Sequence, residues 1–327
     1  MCSQGKLTFE VSPAQANQQG LVLTSREQEI FQSGATLIQN SPLEMDEGTR
    51  SYGVEVAERI AGGTSHGLLY GETFHVQSVV NANNVAFTSL PLEPHQDLAY
   101  YESMPGLQLL HCVENRDVHG GQSTLVDAMA AAHSFRNLAP DLFEILTQCP
   151  ATFVKQREGG DMLYFRPHIV LDPFGEITTV NWSPPFEGPL GVPADMVKDY
   201  YVAYTAFQKM VDNSLPAEHG SHTLSPSLNK ALSAYANEYT WEQALRPGEI
   251  LVFNNRRMLH GRRGFSIKEG TNGSRHLIGC YANIDETLNR YRLLLRQNAR
   301  DQDWTIKNAG NGSVGTCFPS REPTSQT

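Results

Sequence analysis

Pro94-His95-Gln96-Asp97 is the string with the most chemical content in this 327-residue chain. In extended backbone, side chains two positions apart share a face, so His95 and Asp97 can reach one metal ion from a single strand edge. A third ligand is needed, and His260, followed by Gly261-Arg262, is the best candidate. Pro247-Gly248-Glu249 reads as a turn feeding the strand that delivers it. Two histidines and one carboxylate leave three octahedral positions open. That arrangement suits non-heme iron(II) oxygenases, where a co-substrate and dioxygen must both reach the metal.

Arg275 opens the next strand-like run, Arg275-His276-Leu277-Ile278. A buried guanidinium offers a planar fork to a carboxylate, here the distal carboxylate of a metal-chelated 2-oxo diacid. Ser123, after Gly120-Gly121-Gln122, can give the same carboxylate a hydroxyl. An isolated His-x-Asp is a surface turn more often than a site. The later His-Gly-Arg and the following arginine, in this order, make the stronger case.

Many short strands must hold these groups. Strand patterns fall at 74–77, 85–88, 107–113, 123–126, 151–155, 162–165, 177–181, 250–253 and 276–282, with glycine turns between them. Helical spacing marks 128–137, 194–211 and 285–298, and Ser25 with Gln28 resembles a capping box. We expect a mainly β fold with helical insertions, as a sandwich or barrel. The expected organisation is a flexible N-terminus over 1–20, one catalytic domain over 21–304 and a disordered tail over 305–327.

Composition removes several function classes. With 25 Lys+Arg against 35 Asp+Glu, the chain is acidic, at −10. It has no basic block for neutralising phosphates, which argues against a nucleic-acid partner. It has no apolar run of about 20 residues, so no membrane span is expected. Cys2, Cys112, Cys149, Cys280 and Cys317 are scattered and odd in number, as in a reduced cytoplasmic protein. The expected partners are a small-molecule substrate and at most a second copy of the chain in a homodimer.

The motifs together resemble a known family. Residues 70–77 and 81–88, then 95–101, 105–112 and 120–127, then 253–263 and 275–277, are similar to clavaminate synthase/taurine dioxygenase-type Fe(II)/2-oxoglutarate oxygenases. Within these they look most like the γ-butyrobetaine and trimethyllysine dioxygenases. The resemblance implies a double-stranded β-helix, or jelly roll. It implies His95, Asp97 and His260 as iron ligands and Arg275, with Ser123, on 2-oxoglutarate. Tyr70, Phe74, Phe87 and Tyr281 fall where an aromatic cage surrounds a trimethylammonium group, whose charge ring faces attract. Asn84, Asn181 and Leu98 fall at polar or neighbouring positions close to substrate.

The implied cofactors are Fe(II), 2-oxoglutarate and O2, and the implied reaction is C–H hydroxylation with release of succinate and CO2. Asp97 favours hydroxylation over halogenation, because a halogenase frees that ligand position for chloride. Phe74 and Phe87 stand where the butyrobetaine pattern has Trp and Tyr, Leu98 stands where some members have Tyr, and the N-terminal zinc domain of those relatives is expected to be absent.

Other readings remain open beside this one. The same cofactors could act on an amino acid or secondary metabolite, giving hydroxylation, desaturation or ring closure. A catalytically silent jelly-roll binding protein and a zinc hydrolase are the rivals from other classes. His75, His111 and His276 read as hydrogen-bonded core histidines rather than ligands. His219 and His222 lack a third ligand nearby. His168 either lines the site or closes a turn, and Trp182-Ser183-Pro184-Pro185-Phe186 is either a lid or a static loop.

Overall fold

The run Ile250–Asn254 is buried at every position and shows how the core divides. Ile250 and Val252 pack with Leu107, Leu109 and Cys280, whereas Leu251 and Phe253 pack with Leu110, Cys112 and Leu125. Alternate side chains of a strand point to opposite faces, so this strand is covered on both sides. The structure is a computed structural model and describes residues 30–43, 51–65, 68–77, 89–157, 159–298 and 310.

Its strands are β1 (Ala35–Ile38), β2 (Thr73–Gln77), β3 (Leu92–His95), β4 (Leu107–Arg116), β5 (Val118–Gly120), β6 (Ser123–Asp127), β7 (Pro150–Arg157), β8 (Gly160–Pro167), β9 (Ile169–Leu171), β10 (Ile177–Val180), β11 (Trp241–Gln243), β12 (Ile250–Asn254), β13 (Met258–Arg262), β14 (Phe265–Ile267) and β15 (Ser274–Ala282). The helices are α1 (Tyr52–Ala61), α2 (Ala128–Leu138), α3 (Pro140–Gln148), α4 (Val197–Val211), α5 (Pro226–Tyr239) and α6 (Ile284–Asn298).

A large antiparallel sheet runs β1-β12-β4-β15-β2, and a smaller one runs β11-β6-β13-β3. Neighbours in both sheets are distant in sequence, as jelly-roll winding requires. Leu125 and Met258 of the small sheet meet Leu110, Leu251 and Leu277 of the large one, closing the space between them. α1 covers the outer face of the large sheet through Val54, Ala57 and Ile60. α2, α3, α4 and α5 cover Val126 and Leu259 of the small sheet.

Local chemistry sets the boundaries. Ser51 accepts from the Gly53 amide at the start of α1, and Gly62 ends it with φ 80, a left-handed cap that glycine tolerates. Asp127 ends β6 and caps α2 by accepting from the Met129 and Ala130 amides, both at 3.1 Å. Its other oxygen pairs with Arg257 at 2.6 Å, which ties the start of β13 to that junction.

The mainly β expectation and the jelly roll are observed, with α1, α3 and α5 added to the helices read from the sequence. The capping box at Ser25, the strand at 85–88, the expected flexible N-terminus and, apart from the buried Gly310, the expected C-terminal tail lie outside the described residues. Among the described residues, no helix is long and apolar enough to cross a membrane. The described cysteines Cys112, Cys149 and Cys280 are free and buried.

Candidate metal and co-substrate site

β3 and β13 pair so that His95 lies directly opposite His260. Their ring centroids stand 4.3 Å apart. Asp97 follows β3, and ligand atoms of His95, Asp97 and His260 all lie within 4.8 Å of one another. His95 Nε2 is 3.4 Å from Asp97 Oδ1, and His260 Nε2 is 3.6 Å from Asp97 Oδ2. His95 Nδ1 donates to the Glu93 carbonyl at 2.7 Å, because a carbonyl can only accept. That fixes the tautomer and leaves the Nε2 lone pair facing Asp97.

Asn255 holds the backbone of Asp97 from both sides. Its Oδ1 accepts from the Asp97 amide at 2.9 Å, and its Nδ2 donates to the Asp97 carbonyl at 3.0 Å. Leu98 then adopts φ 63, an uncommon left-handed conformation for leucine that turns the chain immediately after the carboxylate. Gln96, fully buried, anchors a second segment here. Its amide donates to the Trp182 carbonyl, its side-chain oxygen accepts from the Trp182 amide, and its carbonyl accepts from the Ser183 hydroxyl. Trp182–Phe186 is therefore fixed at its base, with Trp182 stacked on Tyr204, while Pro185 and Phe186 at its far end line the cavity.

The electrostatics suit a metal. Burial pushes the Asp97 carboxyl up, but His260, His95 and the Tyr281 hydroxyl outweigh it and hold the group below the usual carboxylate range. Burial, with His95 beside it, pushes His260 down, so its imidazole is neutral as a ligand must be.

A cavity with about 870 Å³ of empty space, including its open mouth, begins at the three ligands. Arg275, Ser123, Arg262, Gln108 and Leu110 line it, as do Tyr70, Phe74, Tyr100, Tyr281 and Phe186. Arg275 is 6% exposed and donates to the Gly121 carbonyl at 3.3 Å. Burial lowers its pKa, and among the described residues no carboxylate forms a salt bridge with it. A buried guanidinium without a protein anion is costly, and an incoming carboxylate offsets that cost. Tyr281 stacks on Phe74 with centroids 5.0 Å apart and donates its hydroxyl to Asp97 Oδ2 at 2.7 Å. One face of the Phe74 ring lies against Gly279, where a Cβ would come within 2.2 Å of it.

Two expected substrate residues are corrected. Leu98 is 1% exposed and packs behind Tyr100 and Tyr281; those two line the cavity and Leu98 does not, because its left-handed backbone turns it inward. Asn181 is also buried, and its amide donates to the Pro167 carbonyl at 2.8 Å, so it fastens β8 rather than meeting the cavity. Asn84 and Phe87 lie outside the described residues. His168 closes an internal network: Nδ1 donates to the Asn181 carbonyl and Nε2 accepts from Tyr200, both at 2.8 Å. His75 and His276 are not core residues but meet on the outer face of the large sheet, whereas His111 is fully buried.

The sequence reading missed Tyr100, Arg262 and Asn255. Tyr100 was hidden because only the turn at Leu98 folds it back to the site. Arg262 was visible in the His-Gly-Arg string: it stands two places beyond His260 on β13, so it shares that face.

Two imidazoles and a carboxylate at the mouth of a jelly roll, with a buried guanidinium along the same cavity, characterise the non-heme iron, 2-oxoglutarate-dependent dioxygenases as a class. The chain belongs to the taurine catabolism dioxygenase TauD, TfdA family, whose family model matches residues 8–281. It is 33% identical over 227 residues to a γ-butyrobetaine dioxygenase of Pseudomonas sp. (strain AK-1), covering 69% of this chain and 52% of that one. It is 32% identical over 230 residues to dioxygenase str8 of Strobilurus tenacellus, covering 69% and 48%. It is 28% identical over 263 residues to the mitochondrial trimethyllysine dioxygenase of Homo sapiens, covering 80% and 55%.

The chain thus spans about half the length of the curated relatives it matches. Among solved structures, the non-heme iron oxygenase OrfP with Fe and α-ketoglutaric acid superposes at TM-score 0.54 and 13% identity, covering 85% of this chain and 94% of that one. Asparagine oxygenase with Fe(II), 3-hydroxyasparagine and succinate superposes at 0.53 and 15%, covering 84% and 82%. These two likenesses carry the fold.

Proposed function

We propose that this chain hydroxylates an unactivated C–H bond of a small cationic or zwitterionic molecule such as γ-butyrobetaine. The observation that carries this reading is that Tyr70, Phe74, Tyr100 and Tyr281 wall the same cavity that His95, Asp97 and His260 open into. In this reading His95, Asp97 and His260 hold iron(II), while Arg275 and Ser123 hold the distal carboxylate of 2-oxoglutarate. Bound there, iron and co-substrate supply oxidative decarboxylation coupled to O2-dependent C–H oxidation, releasing succinate and CO2.

The chain's own residues do the rest. The Glu93 carbonyl keeps the His95 proton on Nδ1, and Tyr281 keeps one Asp97 oxygen hydrogen-bonded and oriented. The aromatic walls exclude water and place an ammonium group against ring faces, which leaves the neighbouring carbon toward the metal. We read residues 21–304 as the catalytic domain and the cytoplasm as its location, in keeping with free cysteines at 112, 149 and 280.

The test is O2- and Fe(II)-dependent succinate formation across a panel of betaines, amino acids and uncharged analogues of similar size. Turnover with a trimethylammonium substrate is expected, and His95→Ala should abolish it. Full activity in that variant overturns the ligand assignment, whereas turnover confined to uncharged compounds overturns the substrate class. Phe74 supports a second reading, because phenylalanine attracts cations less than tryptophan does. Under it, the same cofactors act on an amino acid or secondary metabolite by hydroxylation, desaturation or cyclisation. Product mass separates these outcomes, with one oxygen gained or two hydrogens lost.

A further inference from the structure

His75 on β2 and His276 on β15 sit on adjacent strands, each one place away from residues that line the cavity. Phe74, Val76, Arg275 and Leu277 all face the cavity, so the two histidines project from the opposite face of the sheet. The register pairs His75 with Ile278 and His276 with Gln77, which makes the histidines diagonal neighbours. His75 Nδ1 and His276 Nε2 approach to 2.8 Å, with ring centroids 5.1 Å apart and planes tilted by 34°. His75 is exposed and His276 half-buried, so the pair is open to solvent. Glu114 on β4 stands directly opposite His276 in the register.

We propose that His75 and His276 form a second transition-metal site, separate from the iron site, for a tetragonal divalent ion of the Cu(II) or Ni(II) class. Two imidazoles bound cis at right angles, with metal–nitrogen bonds of about 2.0–2.1 Å, place their nitrogens about 2.9 Å apart. The observed 2.8 Å matches that spacing before any ion arrives. In the metal-free pair, one ring donates its proton to the other. The ion takes the place of that shared proton, and small ring rotations aim both lone pairs at it. Burial, then His75 beside it, lowers the pKa of His276, which keeps its imidazole neutral and able to ligate near pH 7. Glu114, opposite His276 on β4, pairs its carboxylate with Arg116 at 3.3 Å, so the two imidazoles are the ligands the protein supplies here.

The site has a structural consequence. β2 is an edge strand of the large sheet and carries Phe74 and Val76 on its cavity face. An ion held by His75 and His276 clips that edge onto β15, which carries Arg275 and Tyr281. Binding to the folded chain alone stabilises it in proportion to the ion's occupancy.

The experiment titrates the full chain with Ni(II) by calorimetry and follows thermal unfolding with and without the ion. A His75→Ala/His276→Ala variant is compared with wild type. Both side chains are outside the cavity lining, so the variant keeps its fold and its O2-dependent turnover. The expected result is one Ni(II) equivalent fewer than wild type, whatever the iron site binds, and loss of the corresponding rise in Tm. Each single variant should weaken that equivalent by about tenfold or more. With Cu(II), the wild type should show a paramagnetic spectrum with two-nitrogen coupling that the double variant lacks. Equal stoichiometry, affinity and Tm shift in wild type and double variant overturn the proposal. Failure of the hydroxylase reading would leave these readouts untouched.

Discussion

Tyr281 joins the aromatic wall to a candidate metal ligand: its ring stacks on Phe74 at 5.0 Å while its hydroxyl donates to Asp97 Oδ2 at 2.7 Å. In the proposed function, a group that shapes the substrate wall therefore also orients a metal ligand. Tyr281→Phe keeps the stack and removes only the hydrogen bond. We expect Fe(II) affinity to fall about tenfold, as for other partners that orient ligands. KM for substrate should change little once iron is saturating. Iron titration at fixed 2-oxoglutarate checks this, and unchanged affinity would show that the hydroxyl does not orient the ligand.

Arg275 is buried without a salt-bridging carboxylate among the described residues. Arg275→Lys keeps the charge but loses the planar fork. The expected outcome is an increase in KM for 2-oxoglutarate of roughly tenfold or more, with a smaller change in kcat. Steady-state kinetics at saturating substrate measure both. A KM equal to that of wild type removes Arg275 from co-substrate binding.

Asn255 satisfies both backbone groups of Asp97 and donates to Pro105 at 3.4 Å. Asn255→Ala leaves those groups unpaired and frees the turn in which Leu98 holds its left-handed conformation. Loss of stability of about 1–3 kcal/mol is expected, together with weaker iron binding. Urea unfolding of the metal-free and iron-loaded forms separates the two effects.

His168 is a pH sensor of stability rather than of catalysis. Burial pushes its imidazole down to about 4, and the Asn181 carbonyl offsets only part of that. Between pH 4 and the ordinary value near 6.5, the unfolded chain therefore binds the proton and the folded chain does not. Stability from this residue is complete above pH 6.5, falls as pH drops toward 4, and changes no further below that. The range amounts to about 3 kcal/mol. Urea unfolding at pH 7 and pH 5 should show the loss, and His168→Gln should flatten that part of the profile.

Gly279 lets the Phe74 ring lie against β15, since a Cβ there would sit 2.2–2.7 Å from three ring carbons. Gly279→Ala must push the ring away from β15. The expected outcome is a higher KM for substrate, with a smaller loss of Fe(II) affinity, because His95, Asp97 and His260 are on other elements and only the Tyr281 hydroxyl reaches Asp97 from this strand.

What could be seen from sequence follows from how local each signal is. His95 and Asp97 were legible because a two-residue period in extended backbone needs no tertiary knowledge. His260 and Arg275 were legible because each sits in a strand with a plain apolar pattern. Leu98 and Asn181 misled because their side-chain directions depend on backbone features with no sequence signature: a positive φ in leucine, and a turn tied to His168. α5 was missed because only Leu232 and Ala236 are buried along it, too few to show a helical period. α1 was missed because Val54-Glu55-Val56 alternates as a strand would. His75 and His276 sit in apolar-looking strings, and only the pairing of β2 with β15 shows that they face outward and meet.

β3 is four residues long and forms the edge of the small sheet, with β13 as its paired neighbour among the described residues. Its last residue is nevertheless a candidate metal ligand. An ion bound to His95, Asp97 and His260 therefore cross-links chain positions far apart in sequence and fastens a short edge strand to its neighbour. Amide exchange and protease cutting around residues 92–97 should report metal occupancy directly, so this short edge serves as a readout of whether the centre is loaded.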